Sequence, residues 1–137
     1  MTLALEDRLA VTELIALHGH LVDAGALDRM YEVFTADVVY DLSDFGQGEL
    51  TGLVALKEAA LALGAGNPVA HHVTNVFVEK VTDDRVNARS KGLAVMANGS
   101  CGSVTYEDTV IRVGGRWRIS HRRVLARKVP LNGLGQG

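Results

Sequence analysis

Residues 108–121 read DTVIRVGGRWRISH, two extended runs of β-branched, aromatic and long side chains parted by Gly114-Gly115. Two successive glycines accept the positive φ angles of the primed two-residue turns, so this stretch predicts a β-hairpin. The same composition continues outward. Segments 71–81, 85–96, 104–113 and 116–127 each read as extended, separated by TDD, ANGSCGS and the glycine pair. Four strands joined by such short turns form an antiparallel meander.

Upstream the period changes. Leu9, Leu14, Leu17 and Leu21 recur at helical spacing, and Glu6 and Asp7 sit where a helix dipole favours acids, so a helix is predicted from residue 5 to about 21. Gly25 breaks it. Leu27, Met30, Tyr31 and Phe34 then fall at i, i+3, i+4 and i+7, predicting a second, shorter helix that leaves through TAD. VVYDL (38–42) predicts a strand, SDFGQGELTG an irregular loop, and LVALKEAALALG a third helix stopped by Gly64. Helices first and most strands afterwards imply an α+β fold, with the helices on one face of a curved antiparallel sheet. Without repeat, linker or low-complexity segment, the chain reads as a single domain over 1–137, ordered from about 5 to 128 with a loose tail at 129–137.

Composition removes several function classes. Lys and Arg (14) nearly balance Asp and Glu (16) for a net charge of −2, which leaves no field to gather nucleic acid or an anionic membrane. No apolar run approaches the roughly 20 residues that span a bilayer, and the N-terminus turns acidic too early for a signal peptide. Cys101, the single cysteine, excludes an intramolecular disulfide and fits a reducing cytoplasm. GQGELTG lacks the pattern of a phosphate-binding loop, and the histidine spacings do not match a zinc motif, so neither cofactor nor metal is expected.

The chemistry gathers around PVAHHVTNVF, residues 68–77. Strand alternation puts His71, Val73, Asn75 and Phe77 on one face and His72, Thr74 and Val76 on the other, so only one histidine can enter a cavity under the helices. Such a histidine works as a general base when a carboxylate orients it, and Asp23, at the end of the first helix among apolar neighbours, is the best candidate. Its alternative is a solvated helix terminus. His18 borders the leucine stripe of that helix, where a satisfied core histidine is the plainer reading. In RWRISHRR (116–123), alternation sets Trp117, Ile119, His121 and Arg123 against Arg116, Arg118, Ser120 and Arg122. One arginine reaching the cavity could bind an anion, whereas the others are solvated.

HLVDAGALDRMYEVFTADVVYDL, GELTGLVALK, HHVTN and GGRWRIS, in this order and spacing, resemble the SnoaL-like branch of the nuclear transport factor 2-like superfamily over about residues 5–127. The nearest pattern is that of lindane dehydrochlorinase and scytalone dehydratase, in which an Asp near the end of the first helix pairs with the His of an H-x-x-x-N strand. The resemblance implies Asp23, His71 and Asn75 at those positions, His71 inward and His72 outward, and Arg122 as the cavity arginine. The chain departs from the dehydrochlorinase at His18, where that enzyme has a lysine. The implied fold is a cone, a strongly curved sheet whose mouth the helices close. Its pocket would be lined by Tyr40, Phe45, Val73, Phe77 and Met96, each equally readable as core.

Two functions follow from that resemblance. One is a cofactor-independent dehydratase, polyketide cyclase or related lyase or isomerase, with His71 as base, Asp23 orienting it and Arg122 or His18 steadying negative charge on a small hydrophobic substrate. The other is a noncatalytic binding or scaffold protein with Asp23 and His71 as a satisfied pair. Relatives commonly dimerise through the outer sheet surface, so a homodimer is expected, with Asn87, Arg89, Lys91, Leu93 and Val95 on the strand face available for it.

Overall fold

A computed structural model describes residues 2–135. Helix α1 (Leu5–Asp23) buries Val11, Leu14, Ile15, His18 and Leu21, a stripe rotated from the one the leucines suggest: Leu9 is exposed and Leu17 only partly buried. The helix ends in a Schellman motif. Gly25, at φ 69°, donates its N–H to the Val22 carbonyl while Ala26 donates to that of Leu21, which leaves Asp23 as the last helical residue.

The expected second helix is a single 3-10 segment, Leu27–Glu32, and strand β1 (Phe34–Asp41) begins four residues before VVYDL. Tertiary pairing decides this boundary, because Phe34 lies opposite Ile119 in the last strand and the Ile119 N–H bonds to the Val33 carbonyl. A short strand β2 (Glu49–Thr51) and helix α2 (Leu53–Leu63) follow. The meander comprises β3 (Ala70–Thr82), β4 (Arg85–Val95), β5 (Cys101–Val113) and β6 (Arg116–Ala126), close to the segments read from sequence. Gly114 and Gly115 both have positive φ at the last hairpin, as the turn demands.

The six strands form one curved sheet in the order β2-β1-β6-β5-β4-β3. All pairs are antiparallel except β1 with β6, which run parallel. This corrects the all-antiparallel expectation: β1 meets β6 only after the whole intervening chain has been traversed, and such a crossover permits parallel pairing. The sheet stays open, with β2 and β3 as edges. Helix α1 lies chiefly against β3 and α2 against β1, so both cover one face. Their shared core is apolar: Val33, Phe34, Val38, Val86, Val110 and Ile119 are fully buried or nearly so. Leu3 joins it ahead of the predicted start of order.

Strand β4 alternates without interruption. Val86, Ala88, Ser90 and Gly92 are buried, whereas Asn87, Arg89, Lys91 and Leu93 are exposed. Strands β3 and β6 do not. In β3 the register slips between Thr74 and Phe77, where Asn75 takes the left-handed region at φ 58°. In β6 Ser120 is left unpaired between Ile119 and His121. These β-bulges reverse the faces beyond them. The tail expected to be loose carries a 3-10 turn at Pro130–Gly133; its residues 136 and 137 lie outside the described residues. Among the described residues no helix is long and apolar enough to cross a membrane.

Candidate active site

Between the helices and the sheet lies a cavity of about 330 Å³. Helix α1 contributes His18 and Val22, the 3-10 segment Leu27 and Met30, and α2 Leu56 and Ala60. The sheet side is formed by Tyr40, His71, Val104, Tyr106 and Val124, and Phe45 stands at the edge, 44% exposed. A larger hollow of about 530 Å³ on the outer sheet face is lined by Phe77, Glu79, Arg89, Glu107, His121 and Arg123, away from the His18 and His71 rings.

Asp23 and His71 meet at the cavity. Asp23 Oδ1 lies 2.6 Å from His71 Nδ1, and Oδ2 accepts the His71 backbone N–H at 2.9 Å. Their side chains are 26% and 15% exposed, so both are partly shielded from water, at a helix end where Asp23 as a whole residue is exposed. The two-point contact fixes the carboxylate against the strand. It also depends on Gly19, for which a Cβ would lie 2.8 Å from the His71 carbonyl oxygen. Glycine here lets α1 approach β3 closely enough for Asp23 to reach. His72, the neighbouring histidine, is exposed.

His18 is buried at 4% exposure, with its ring 6.1 Å from those of His71 and Tyr106. Its Nδ1 accepts a hydrogen bond from Arg122 Nη1 at 3.0 Å. Burial first, then the charges of Arg122 and His71, hold its pKa well below the ordinary histidine value. Arg122 itself is fully buried. Its Nε and Nη2 donate to Asp108 at 2.7 and 2.9 Å, and its guanidinium lies 4.2 Å from the Tyr106 ring centroid. Burial alone would lower the Arg122 pKa, but the Asp108 charge and hydrogen bonds raise it. Burial likewise raises the hydroxyls of Tyr40 and Tyr106.

Tyr40 and Phe45 line the cavity together with His18 and His71, and the remaining candidates do not. Arg122 is not among the residues that line it; its Nε, Nη1 and Nη2 each bond to Asp108 or His18. Val73 packs into the core beneath Gly19. Asn75 and Phe77 face outward, because the bulge at Asn75 inverts the strand, and Phe77 lies under Arg89 at 5.3 Å. Met96 belongs to the β4–β5 turn, where its carbonyl accepts from the Gly99 N–H. Sequence reasoning missed Asp108, Tyr106 and Met30. Alternation along Tyr106, Asp108 and Val110 in β5 is the signal that marks the first two as inward. Among the described residues no group of three or more His, Cys, Asp or Glu could hold a metal ion.

The SnoaL-like domain family matches residues 3–123, nearly the whole chain. The chain belongs to the SnoaL-like domain family. No curated protein matches it. Among solved structures it is similar to a protein provisionally called an aromatic ring hydroxylase from Novosphingobium aromaticivorans, at 27% identity and TM-score 0.79, over 93% of this chain and 94% of that one. A provisional scytalone dehydratase from the same organism shares 21% identity at TM-score 0.75, over 90% and 86%. A type 2 hexachlorocyclohexane dehydrochlorinase shares 21% at TM-score 0.76, over 90% and 87%. At such identities the last two show a likeness of fold alone, the α+β architecture described above.

Proposed function

We propose that this SnoaL-like chain is a cofactor-independent acid/base enzyme of the lyase or isomerase type, a dehydratase or cyclase acting on a small, mostly apolar molecule. The observation that carries the reading is the Asp23–His71 hydrogen bond at the wall of an apolar cavity. An ionised carboxylate can only accept, so the proton between the two belongs to His71 Nδ1 and the Nε2 lone pair is free to take a proton. Asp23 holds that tautomer and stabilises the imidazolium that forms. The surrounding Val22, Met30, Leu56 and Val124 keep the step away from bulk water and bind a hydrophobic skeleton.

A positioned base contributes about 10²–10⁴-fold. Neutral β-hydroxy ketones offered as a panel are expected to lose water at a measurable rate, followed by the absorbance of the enone formed. In Asp23→Asn and His71→Ala the rate is expected to fall by about that factor. If both variants dehydrate the panel as fast as the unaltered protein, the acid/base reading is wrong, and a noncatalytic binding protein with a satisfied polar pair takes its place.

A further inference from the structure

Helix α2 differs from the other elements around the cavity in what holds it. All its residues but Lys57 and Glu58 are apolar, yet none is buried, whereas α1 buries Val11, Leu14, Ile15 and Leu21. Leu56, Ala59, Ala60 and Leu63 line the cavity, and Val54 and Leu61 are exposed on the helix's other side. The rest of the rim is tied to the sheet. Asp23 of α1 accepts from the His71 N–H, the Tyr31 carbonyl of the 3-10 segment accepts from Arg118 at 2.8 Å, and Asp44, beside Phe45, accepts from the Ala126 N–H at 3.1 Å. Among the described residues the side chains of α2 make a single hydrogen bond, from Lys57 Nζ to Asp28 Oδ1 of the 3-10 segment at 2.5 Å, and it is exposed.

The anchors of α2 lie at its ends instead. Gly52 donates its N–H to the Val38 carbonyl of β1, and Val69, beyond the helix, donates to that of Val95 in β4. Between these points the chain turns at Gly52, φ 90°, and at Gly64, φ 51°, positive angles that glycine adopts without strain. Asn67 caps the carbonyls of Ala60 and Gly64, so the helix end is satisfied within its own loop rather than by the sheet.

We propose that α2 is a gate, which turns about Gly52 and Gly64, parts from the 3-10 segment and admits an apolar molecule to the cavity, with Lys57–Asp28 as its latch. No fully packed side chain is withdrawn when it opens, and segments with few buried apolar contacts open far more readily than the whole fold. Leu53 and Leu56, which touch the core, belong to the half of the helix nearer Gly52, where a turn displaces them least. The backbone hydrogen bonds of α2 survive the motion, which falls on glycine torsions at the two ends. A molecule in the cavity gives Leu56, Ala60 and Leu63 the apolar contact they otherwise lack, so occupancy favours the closed state. The latch is an ion pair in water, weak in itself and weaker in salt. Such a gate serves a binding protein as well as an enzyme.

The test places a thiol on the cavity wall as Val124→Cys, with the exposed Cys101 replaced as Cys101→Ser. Its reaction with 4,4′-dithiodipyridine, a neutral aromatic disulfide, is followed by the absorbance of the released thiopyridone. Adding Asp28→Asn or Lys57→Gln is expected to raise the labelling rate about two- to fivefold, and the two together no further, since either breaks the same latch. Salt at ~1 M is expected to raise the rate with the latch intact and to leave it unchanged in Asp28→Asn. Val110→Cys, in the core and away from the cavity, reports general unfolding and is expected to react at a rate that Asp28→Asn does not alter. Ala94→Cys, elsewhere on the cavity wall, replaces Val124→Cys if that variant does not fold. Labelling of the cavity thiol at one rate with and without the latch, or acceleration of Val110→Cys by the same factor, overturns the gate.

Discussion

A carboxylate on the last residue of a helix opposes the macrodipole there, at a cost of about 0.3–1 kcal/mol, and Asp23 occupies that position in α1. Two hydrogen bonds from His71 offset the cost, so a residue that looks misplaced on its own element is satisfied by another. This was partly legible, since an acid among apolar neighbours at a helix end stands out. The contact itself was not, because it joins residues 48 positions apart. His18 has a different consequence. Its pKa is lowered by burial, then by Arg122 and His71, whereas in the unfolded chain it protonates near 6.5. Below that pH the unfolded state binds the extra proton, and stability falls as pH falls, by up to about 1.4 kcal/mol per unit, until the folded imidazole is protonated too; above it the contribution is fully present. Carboxylates held low by partners, such as Asp7 by Trp117 and Arg112, act at lower pH. Urea unfolding at pH 7.5, 6.0 and 5.0 is expected to show a steeper loss in the unaltered protein than in His18→Gln. Parallel pH dependences would contradict a neutral buried His18.

Between elements, Gly19 sets the distance from α1 to β3. Alanine there gains about 1 kcal/mol of helix propensity but places a Cβ 2.8 Å from the His71 carbonyl, a backbone atom that cannot swing aside. Gly19→Ala is therefore expected to be destabilised by about 1–3 kcal/mol in urea unfolding and to lose dehydration rate as the Asp23–His71 contact loosens. A variant of raised stability and full rate would contradict the close approach. Strands were the readable part of this scale, because turn residues and Gly114-Gly115 mark their ends. The bulges were not readable. A one-residue insertion leaves composition unchanged, yet it sends Asn75 and Phe77 outward and aligns Arg122 with Trp117 and Ile119 on the buried side. Asn75 offered a faint hint, since asparagine tolerates the left-handed region; Ser120 offered none. The 3-10 segment is similar: i, i+3 and i+4 spacing suits it as well as an α-helix, and pairing of Phe34 with Ile119 sets its end.

At the level of the molecule, parallel pairing of β1 with β6 sets Tyr40 beside Arg122, and the helices roof the same sheet face, so one cavity receives side chains from both layers. The α+β class was legible because helical and extended periods occupy different parts of the chain, and the family because its motifs keep their order. Which residues line the cavity was not, since lining depends on curvature and register that no local pattern encodes. Removal of a carbon-bound proton by His71 is the central claim, and it can be measured without knowing what group leaves. Acetophenone incubated with the protein in D₂O is expected to take up deuterium in its methyl group, followed by ¹H NMR, faster than in buffer, and about 10²-fold or more slowly with His71→Ala than with the unaltered protein. Uptake no faster than in buffer, or equal rates for the two proteins, would contradict it.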